Sequence, residues 1–306
     1  MLRSIESIYM TNVFLRVVAT AIALLVTGEN PLRAQTPAEI WAMDSDGQNA
    51  RRVAHVPDFP IINSPEVSPD GRFVAVDGWN ASEDLTAAQL LIIDLQTGNI
   101  ENLGFGAMPN WSPDGNWIAF CKYSNKRGVH LRSRDGEIER HIDPDGWGIQ
   151  WSPDGWKVGY TRGAKWVIYH FISAQSREAV PADWDYTRIF WNPTWSPDST
   201  EVCFKARHSQ GHDEFVIMNV EGQVPSIRHR IRADGFQEDI AWHPDGTRIL
   251  IPKAAANGIV GQIYAYEPGR DEEPTLLAGQ PTDRHNAGMC WSRDGKTLYF
   301  ISRAAD

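Results

Sequence analysis

The sequence predicts an all-β fold, a six-bladed β-propeller of four-stranded antiparallel blades, and three observations lead to this prediction. A short phrase returns six times, a strand-like alternation follows every copy, and a second hairpin follows five of them. The copies read VSPDG, WSPDG, WSPDG, WSPDS, WHPDG and WSRDG and begin at Val67, Trp111, Trp151, Trp195, Trp242 and Trp291. A repeat of this length is typical of propellers and solenoids.

Each copy of the phrase predicts the inner hairpin of one blade. The aspartates recur at intervals of 44, 40, 44, 47 and 49 residues. Apolar residues stand four and six positions after each aspartate, as Ile118 and Phe120 do after Asp114, and this is the alternation of a strand with one buried face. Proline, aspartate and glycine favour the tight turn before it. Ser199, in place of glycine, is expected to strain its turn, and Arg293, in place of proline, to loosen its turn.

A second hairpin completes each of the first five blades, and the two ends of the chain are expected to build the sixth. One strand follows the last copy and ends near Arg303. The segment Ile40–Val53 has the pattern of the missing hairpin, with Asp46 and Gly47 as its turn. We therefore expect the N-terminal hairpin to pair with the C-terminal strands and close the ring, which removes the open sheet edge.

Residues 1–34 are predicted to be a secretory signal peptide. Arg16 precedes an apolar run, Val17–Val26, and a small-residue cleavage site ends at Ala34. The run is too short to span a bilayer but has the length of a signal-peptide core; a short amphipathic helix on a cytosolic protein is the alternative. We expect residues 35–306 to form one propeller domain that is periplasmic or secreted and does not span the membrane.

Composition excludes some classes of partner. The net charge of −10 argues against nucleic acid, which requires a basic surface for its phosphates. Cys121, Cys203 and Cys290 fall in different blades and are expected to be buried apolar residues rather than a disulfide framework. We expect a monomer with no cofactor, a bound divalent ion being the alternative.

The repeated phrase resembles that of a known family. The strand at Ile118–Phe120 with the WSPDG before it, and the hairpin WAMDSDGQNARR at Trp41–Arg52, resemble the repeats of the TolB-like β-propeller superfamily. The resemblance covers about residues 38–303 and implies a six-bladed ring; for TolB itself it implies a periplasmic place in the Tol–Pal system. TolB carries an α/β domain before its propeller, which is not expected here, so its outer-membrane docking role is not carried over.

One end of the ring, which we call the mouth, is predicted to bind a partner. Loops that enter the innermost strands and loops that join second to third strands meet there, and such loops commonly carry function. They are rich in tryptophan, histidine and acids, which suit a surface with aromatic anchors. The predicted partner-binding residues are Asn63, Trp79, Trp147, Trp191, Asn192, Glu238, Asp239, Arg284 and His285. The tryptophans of the repeated phrase are expected to pack between blades instead.

We expect an exported, non-catalytic propeller that binds a protein or a glycan at the mouth. The alternative, which the resemblance also implies, is a metal-assisted carbohydrate-active enzyme similar to the TolB-like polysaccharide lyases. Its metal ligands would come from His208, His212 and His285, with a histidine as the base. Convergence of these histidines with Glu238 or Asp239 would favour the enzyme. A structural module of an envelope complex, which would use an outer face, is the third hypothesis.

Overall fold

Six blades form a ring, and each copy of the repeated phrase forms the turn between the two inner strands of one blade. The computed structural model describes residues 36–80, 82–254 and 261–305. The predicted signal peptide at residues 1–34 lies outside this part of the chain. Within the described residues no helix has the length and apolar character needed to cross a bilayer.

The strands are numbered β1 to β25 along the chain. The outer half of blade 6 consists of β1 (Glu39–Asp44) and β2 (Arg51–His55). Blade 1 consists of β3 (Ile61–Val67), β4 (Phe73–Trp79), β5 (Gln89–Asp94) and β6 (Ile100–Phe105), with a 3₁₀ turn at Leu85–Ala87. Blade 2 consists of β7 (Ala107–Trp111), β8 (Trp117–Lys122), β9 (Gly128–Ser133) and β10 (Glu139–Asp143).

The remaining blades follow the same plan. Blade 3 consists of β11 (Gly146–Trp151), β12 (Lys157–Arg162), β13 (Lys165–His170) and β14 (Gln175–Ala179). Blade 4 consists of β15 (Tyr186–Ile189), β16 (Thr194–Trp195), β17 (Glu201–His208), β18 (Asp213–Asn219) and β19 (Ser226–Arg232). Blade 5 consists of β20 (Ala241–Trp242), β21 (Ile249–Ala254), β22 (Gly261–Tyr266) and β23 (Thr275–Leu276). The inner half of blade 6 consists of β24 (Arg284–Trp291) and β25 (Thr297–Ala304).

The N-terminal hairpin closes the ring, which confirms the predicted architecture. Blade 6 has the order β24-β25-β1-β2 from the channel outward. Strand β1 pairs antiparallel with β25, from Glu39 opposite Ser302 to Asp44 opposite Thr297. Blade 4 differs from the others because β15 and β16 both pair with β17, so its innermost strand is interrupted.

The repeated turn is held by a serine–aspartate hydrogen bond. In blade 2 the Ser112 hydroxyl donates to Asp114 Oδ1 at 2.5 Å and accepts from the Trp117 amide at 2.9 Å. The same bond to the turn aspartate is made by Ser68, Ser152, Ser196 and Ser292. In blade 5 histidine replaces serine, and His243 Nδ1 lies 2.8 Å from Asp245 Oδ1. The motif is therefore scaffold, as the sequence analysis predicted.

Tryptophans of the phrase pack between neighbouring blades. Trp111, Trp151, Trp195 and Trp291 are buried. Trp111 Nε1 donates to the Glu66 carbonyl of the preceding blade at 3.2 Å, and Trp195 makes the equivalent bond to blade 3. The three cysteines are buried and unpaired, which confirms the expectation for them.

Ser199 replaces the turn glycine of blade 4, and its backbone is left-handed with φ 62°, which is unfavourable for a residue with a side chain. The Ser199 hydroxyl accepts a hydrogen bond from the Asp154 amide of blade 3 at 3.0 Å. Lys157 Nζ donates to the Ser199 carbonyl at 3.0 Å. Ser199 therefore adopts an unfavourable backbone conformation but forms a hydrogen bond between blades 3 and 4.

We expect Ser199→Ala to lower the free energy of unfolding by about 1 kcal/mol, because alanine keeps the strain and loses the hydrogen bond. Ser199→Gly should stay within about 0.5 kcal/mol of the native protein, since relief of strain offsets the lost bond. Urea unfolding at neutral pH measures both variants. If Ser199→Ala were as stable as the native protein, the hydroxyl would not support the turn, and equal stability of the two variants would show that the left-handed backbone at this position costs nothing.

Candidate functional site

The innermost strands change course at the same repeat position, and the residues there surround the channel. Six positions before the turn aspartate the backbone is left-handed at Ser64, Met108, Gly148, Asn192 and Gly288. Irregular pairing is found at these points in blades 1, 2, 3 and 6, which is the pattern of β-bulges. The corresponding residue of blade 5 is Asp239.

Asp239 joins these segments of three blades. Its Oδ1 accepts from Asn192 Nδ2 of blade 4 at 2.5 Å, and its Oδ2 accepts from the Gly288 amide of blade 6 at 3.2 Å. Burial raises the pKa of Asp239, and the two hydrogen bonds oppose that rise. Asn192 and Asp239, both predicted to bind a partner, are therefore bonded to each other beside the channel.

The channel encloses a cavity of about 430 Å³ to which all six blades contribute. Glu66 lines this cavity, and its carboxylate has no hydrogen-bond partner among the described residues. Because this carboxylate lies deep in the channel, where little water reaches it, burial raises the pKa of Glu66 to about 8. Burial likewise raises the pKa of Asp77 to about 7, although Ser64 and Met108 oppose the rise; Asp77 Oδ1 makes no hydrogen bond of good geometry.

Arg293 crosses one end of the channel, the end at which the repeated turns lie and which we call the turn face. Its Nη1 donates to the Pro113 carbonyl of blade 2 at 2.7 Å. The sequence predicts only a looser turn at this residue. The structure adds a contact from blade 6 across the ring, which leaves Arg293 lining the channel cavity.

Aromatic side chains of four successive blades lie at the mouth, where the second strands end and the innermost strands begin. They are half-buried and pack against one apolar cluster: Trp79, Tyr123, Trp147 and Trp191. The ring centroids of Tyr123 and Trp147 are 4.2 Å apart. We call these four residues the aromatic arc. Tyr123 was missed by the sequence analysis, although it stands nine residues after its turn aspartate, as Trp79 does.

Blades 4 and 5 add charged groups next to the arc. The Arg188 guanidinium lies 5.5 Å from the Trp191 ring centroid and 4.7 Å from that of Phe190. It makes no hydrogen bond or salt bridge within the described residues. Lys205 Nζ lies 3.7 Å from Glu238 Oε1. Burial raises the pKa of Glu238, and Lys205 opposes that rise.

Two other predicted partner-binding residues are engaged within the fold. Arg284 forms a salt bridge with Glu39 at 2.6 Å and donates to the Ser302 hydroxyl at 2.8 Å, so it ties β24 across β25 to the closing strand β1. His285 Nδ1 accepts from the Gly261 amide at 2.8 Å. Burial, followed by the charge of Arg303, lowers the pKa of His285.

Asn63 differs from these residues because it is exposed on β3. It stands opposite Asp77 in the pairing of β3 with β4. Its side chain is therefore accessible at the mouth.

Among the described residues, the three candidate metal-ligating histidines do not converge on one site. His208 and His212 stack with ring centroids 4.6 Å apart, and His212 Nε2 lies 2.8 Å from Glu214 Oε1. Across residues 36–80, 82–254 and 261–305, no group of three or more His, Cys, Asp or Glu side chains is placed to hold a metal ion. The convergence that would favour the enzyme alternative is not seen in this part of the chain.

Comparison with known proteins supports the fold. No family model matches the chain. A solved structure of a TolB from Agrobacterium tumefaciens is 18% identical, with a TM-score of 0.66, and the match covers 89% of this chain and 100% of that one. TolB from Acinetobacter baumannii is 17% identical, with a TM-score of 0.61, over 95% of this chain and 69% of that one. At such identities the similarity shows the fold alone: the chain folds as a six-bladed β-propeller similar to those of the two TolB structures.

Proposed function

We propose that this protein is a non-catalytic binding propeller of the cell envelope and that a partner protein binds at its mouth. The aromatic arc is the observation that carries the proposal. It runs over four successive blades and so presents an extended surface, which suits a protein interface. Half-buried aromatic residues beside an arginine are typical anchors of such interfaces.

The charged groups favour a protein over a glycan at this end. Glu238 is close to Lys205, and Asn192 is bonded to Asp239, so these polar groups are already engaged with one another. A glycan needs free donors and acceptors for its many hydroxyl groups. Arg188 forms no salt bridge within the described residues, although Glu238 and Asp213 attract its charge at longer range, so its guanidinium is available to a carboxylate of a partner protein.

The cellular place is part of the same proposal. We infer export to the periplasm, or secretion, from the apolar run Val17–Val26 and the cleavage site at Ala34. The TolB structures of the same fold support this location by analogy. In this proposal residues 1–34 are removed and residues 35–306 form the mature, monomeric propeller.

Capture from envelope extract tests the mouth. The native protein is immobilised beside a Trp147→Ala, Trp191→Ala double variant and an Arg188→Ala variant, each checked for folding by circular dichroism. We expect the native protein to retain one partner in stoichiometric amount and the double variant to lose at least about tenfold of that capture. Trp156→Ala on the turn face is the matched control and should capture normally. Undiminished capture by the double variant would count against the mouth.

A further inference from the structure

Blade 3 departs from the repeat at two neighbouring turns of the turn face. Trp156 stands two residues after its turn aspartate and is 62% exposed. The other blades carry polar residues at this position: Arg72, Asn116, Thr200, Thr247 and Lys296. In the second turn, which in the other blades contains glycine, this blade has Phe171 and Ile172. Ile172 is 74% exposed, so packing of the blade explains Phe171, which contacts the apolar core, but does not explain Trp156 or Ile172.

The two turns form one wall of a surface cleft of about 510 Å³ between blades 2 and 3. The Phe171 amide donates to the Trp156 carbonyl at 3.0 Å, which fixes one turn against the other. The Phe171 ring centroid lies 5.2 Å from that of Trp117 and 5.1 Å from that of Trp151. The cleft thus has aromatic walls and extends inward to Arg293.

Polar groups stand along the edge of these aromatic walls. Asp114 and Asp154 line the cleft from the repeated turns of blades 2 and 3. Burial opposes ionisation of both, but several hydrogen bonds together outweigh it and lower the pKa of each carboxyl: those from Ser112 and Asn116 to Asp114, and those from Ser152, the Trp156 amide and Lys157 to Asp154. Arg293 donates one N–H to the Pro113 carbonyl and has no carboxylate partner within the described residues.

The charges of the cleft nearly cancel. The two carboxylates line the cleft together with Arg293, and Lys157 Nζ lies 3.2 Å from Asp154 Oδ2. The Arg140 guanidinium adds a further positive charge 4.9 Å from the ring centroids of Trp117 and Phe171. The carboxylates would repel a polyanion, and Arg293 and Lys157 would repel a polycation. An uncharged ligand with an apolar face and hydroxyl groups at its edges meets neither penalty.

We propose that this cleft binds an uncharged saccharide chain. A pyranose ring has an apolar C–H face that stacks on an aromatic ring, and its hydroxyl groups donate to carboxylates and accept from guanidinium groups. Trp156 supplies the exposed stacking surface, since the Arg140 guanidinium already lies 4.9 Å from the Phe171 ring centroid. The carboxylates of Asp114 and Asp154 each keep a lone pair beyond the hydrogen bonds of their turns, and Arg293 keeps N–H donors beyond its bond to Pro113, so these groups supply the polar edge. The volume lies in the range of ligand sites. The site is on the end of the ring opposite the mouth and does not depend on the partner proposed there.

Calorimetric titration of the purified full chain tests this proposal. The probes are tetraacetylchitotetraose, cellotetraose and maltotetraose, with a proline-rich peptide as the competing ligand class. We expect at least one saccharide to bind with a Kd of about 0.1–1 mM, and Trp156→Ala to weaken it about tenfold. Trp156→Phe should recover part of the affinity because it keeps a flat ring face.

Two control variants separate this cleft from other surfaces. Phe105 is an aromatic residue of blade 1 that is 57% exposed outside the cleft, and Phe105→Ala should leave saccharide binding unchanged. Trp191→Ala at the mouth should also leave it unchanged. The proposal is overturned if no saccharide binds up to about 10 mM, or if Phe105→Ala weakens binding as much as Trp156→Ala. Binding of the peptide alone, dependent on Trp156, would overturn it as well.

Discussion

Replacing Asp239 by alanine is expected to lower the free energy of unfolding by about 3 kcal/mol, because it leaves one buried and one half-buried donor without an acceptor. The Asn192 side-chain amide and the Gly288 backbone amide both bond to this carboxylate. These donors belong to blades 4 and 6, so Asp239 in blade 5 acts as a clamp among three blades. Each unsatisfied donor costs about 1–3 kcal/mol.

Urea unfolding of the full chain measures this effect, and Asp234→Ala is the matched control. Asp234 lies close in the sequence, is exposed and pairs with Arg232 at 3.3 Å, so its loss should cost less than about 0.5 kcal/mol. Asn192→Ala should cost less in the Asp239→Ala background than in the native protein, since the donor it removes is already unpaired. Equal losses for Asp239→Ala and Asp234→Ala would refute the clamp.

The structural role of Asp239 also limits which variants can test partner binding at the mouth. A binding defect in an Asp239 or Asn192 variant would combine a structural effect with any effect on the partner. Arg284 has the same difficulty because it ties the closing strand through Glu39. Trp191 and Arg188 are better probes, since the Arg188 guanidinium makes no hydrogen bond or salt bridge within the described residues.

The fold was predictable because its determinants are local. The bond that holds each turn aspartate spans two residues, as between Ser112 and Asp114, and histidine takes the place of serine in blade 5. The strand alternation that follows spans six residues. Such short-range features repeat in the sequence and can be recognised there; the number of copies then indicates the number of blades, and the intervals between copies indicate the length of one blade. Closure by β1 followed from a missing hairpin at one end and a surplus hairpin at the other.

The side-chain partners at the site were not predictable in the same way. The Arg293–Pro113 bond joins residues 180 apart, and the Arg284–Glu39 bond joins residues 245 apart. Both depend on closure of the ring, which brings together blades that are distant in the chain. Topology placed the predicted residues at the mouth, but it did not show which of them were already engaged.

Two residues carried a signal that aligning the repeats would have detected. Tyr123 shares the repeat position of Trp79, and both belong to the aromatic arc. Trp156 occupies a position that is polar in the other five copies. Departures from a repeat are informative because the scaffold does not require them, and here they mark both proposed binding surfaces.

Glu66→Gln should have the opposite effect to Asp239→Ala: it should stabilise the protein, increasingly so as the pH rises above about 4.5. Burial raises the pKa of Glu66 from its ordinary 4.5 to about 8. The folded state therefore holds a proton that the unfolded chain releases, and stability falls as the pH rises from about 4.5 to about 8. Glutamine resembles the protonated acid and removes this dependence.

Unfolding free energies near pH 5 and near pH 8.5 measure the effect. The linkage relation limits the gain in stability to about 4 kcal/mol, and because water in the channel screens the Glu66 carboxylate we expect about 2 kcal/mol. The turn aspartates do not titrate between about pH 5 and about pH 8.5. Hydrogen bonds such as that from Ser196 lower the pKa of Asp198 and of the other turn aspartates, so their contribution to stability is lost only at lower pH. Glu137→Gln, at an exposed site, controls for a change of net charge. If Glu66→Gln and the native protein are equally stable near pH 8.5, the Glu66 carboxylate is hydrated in the channel and its burial does not cost stability.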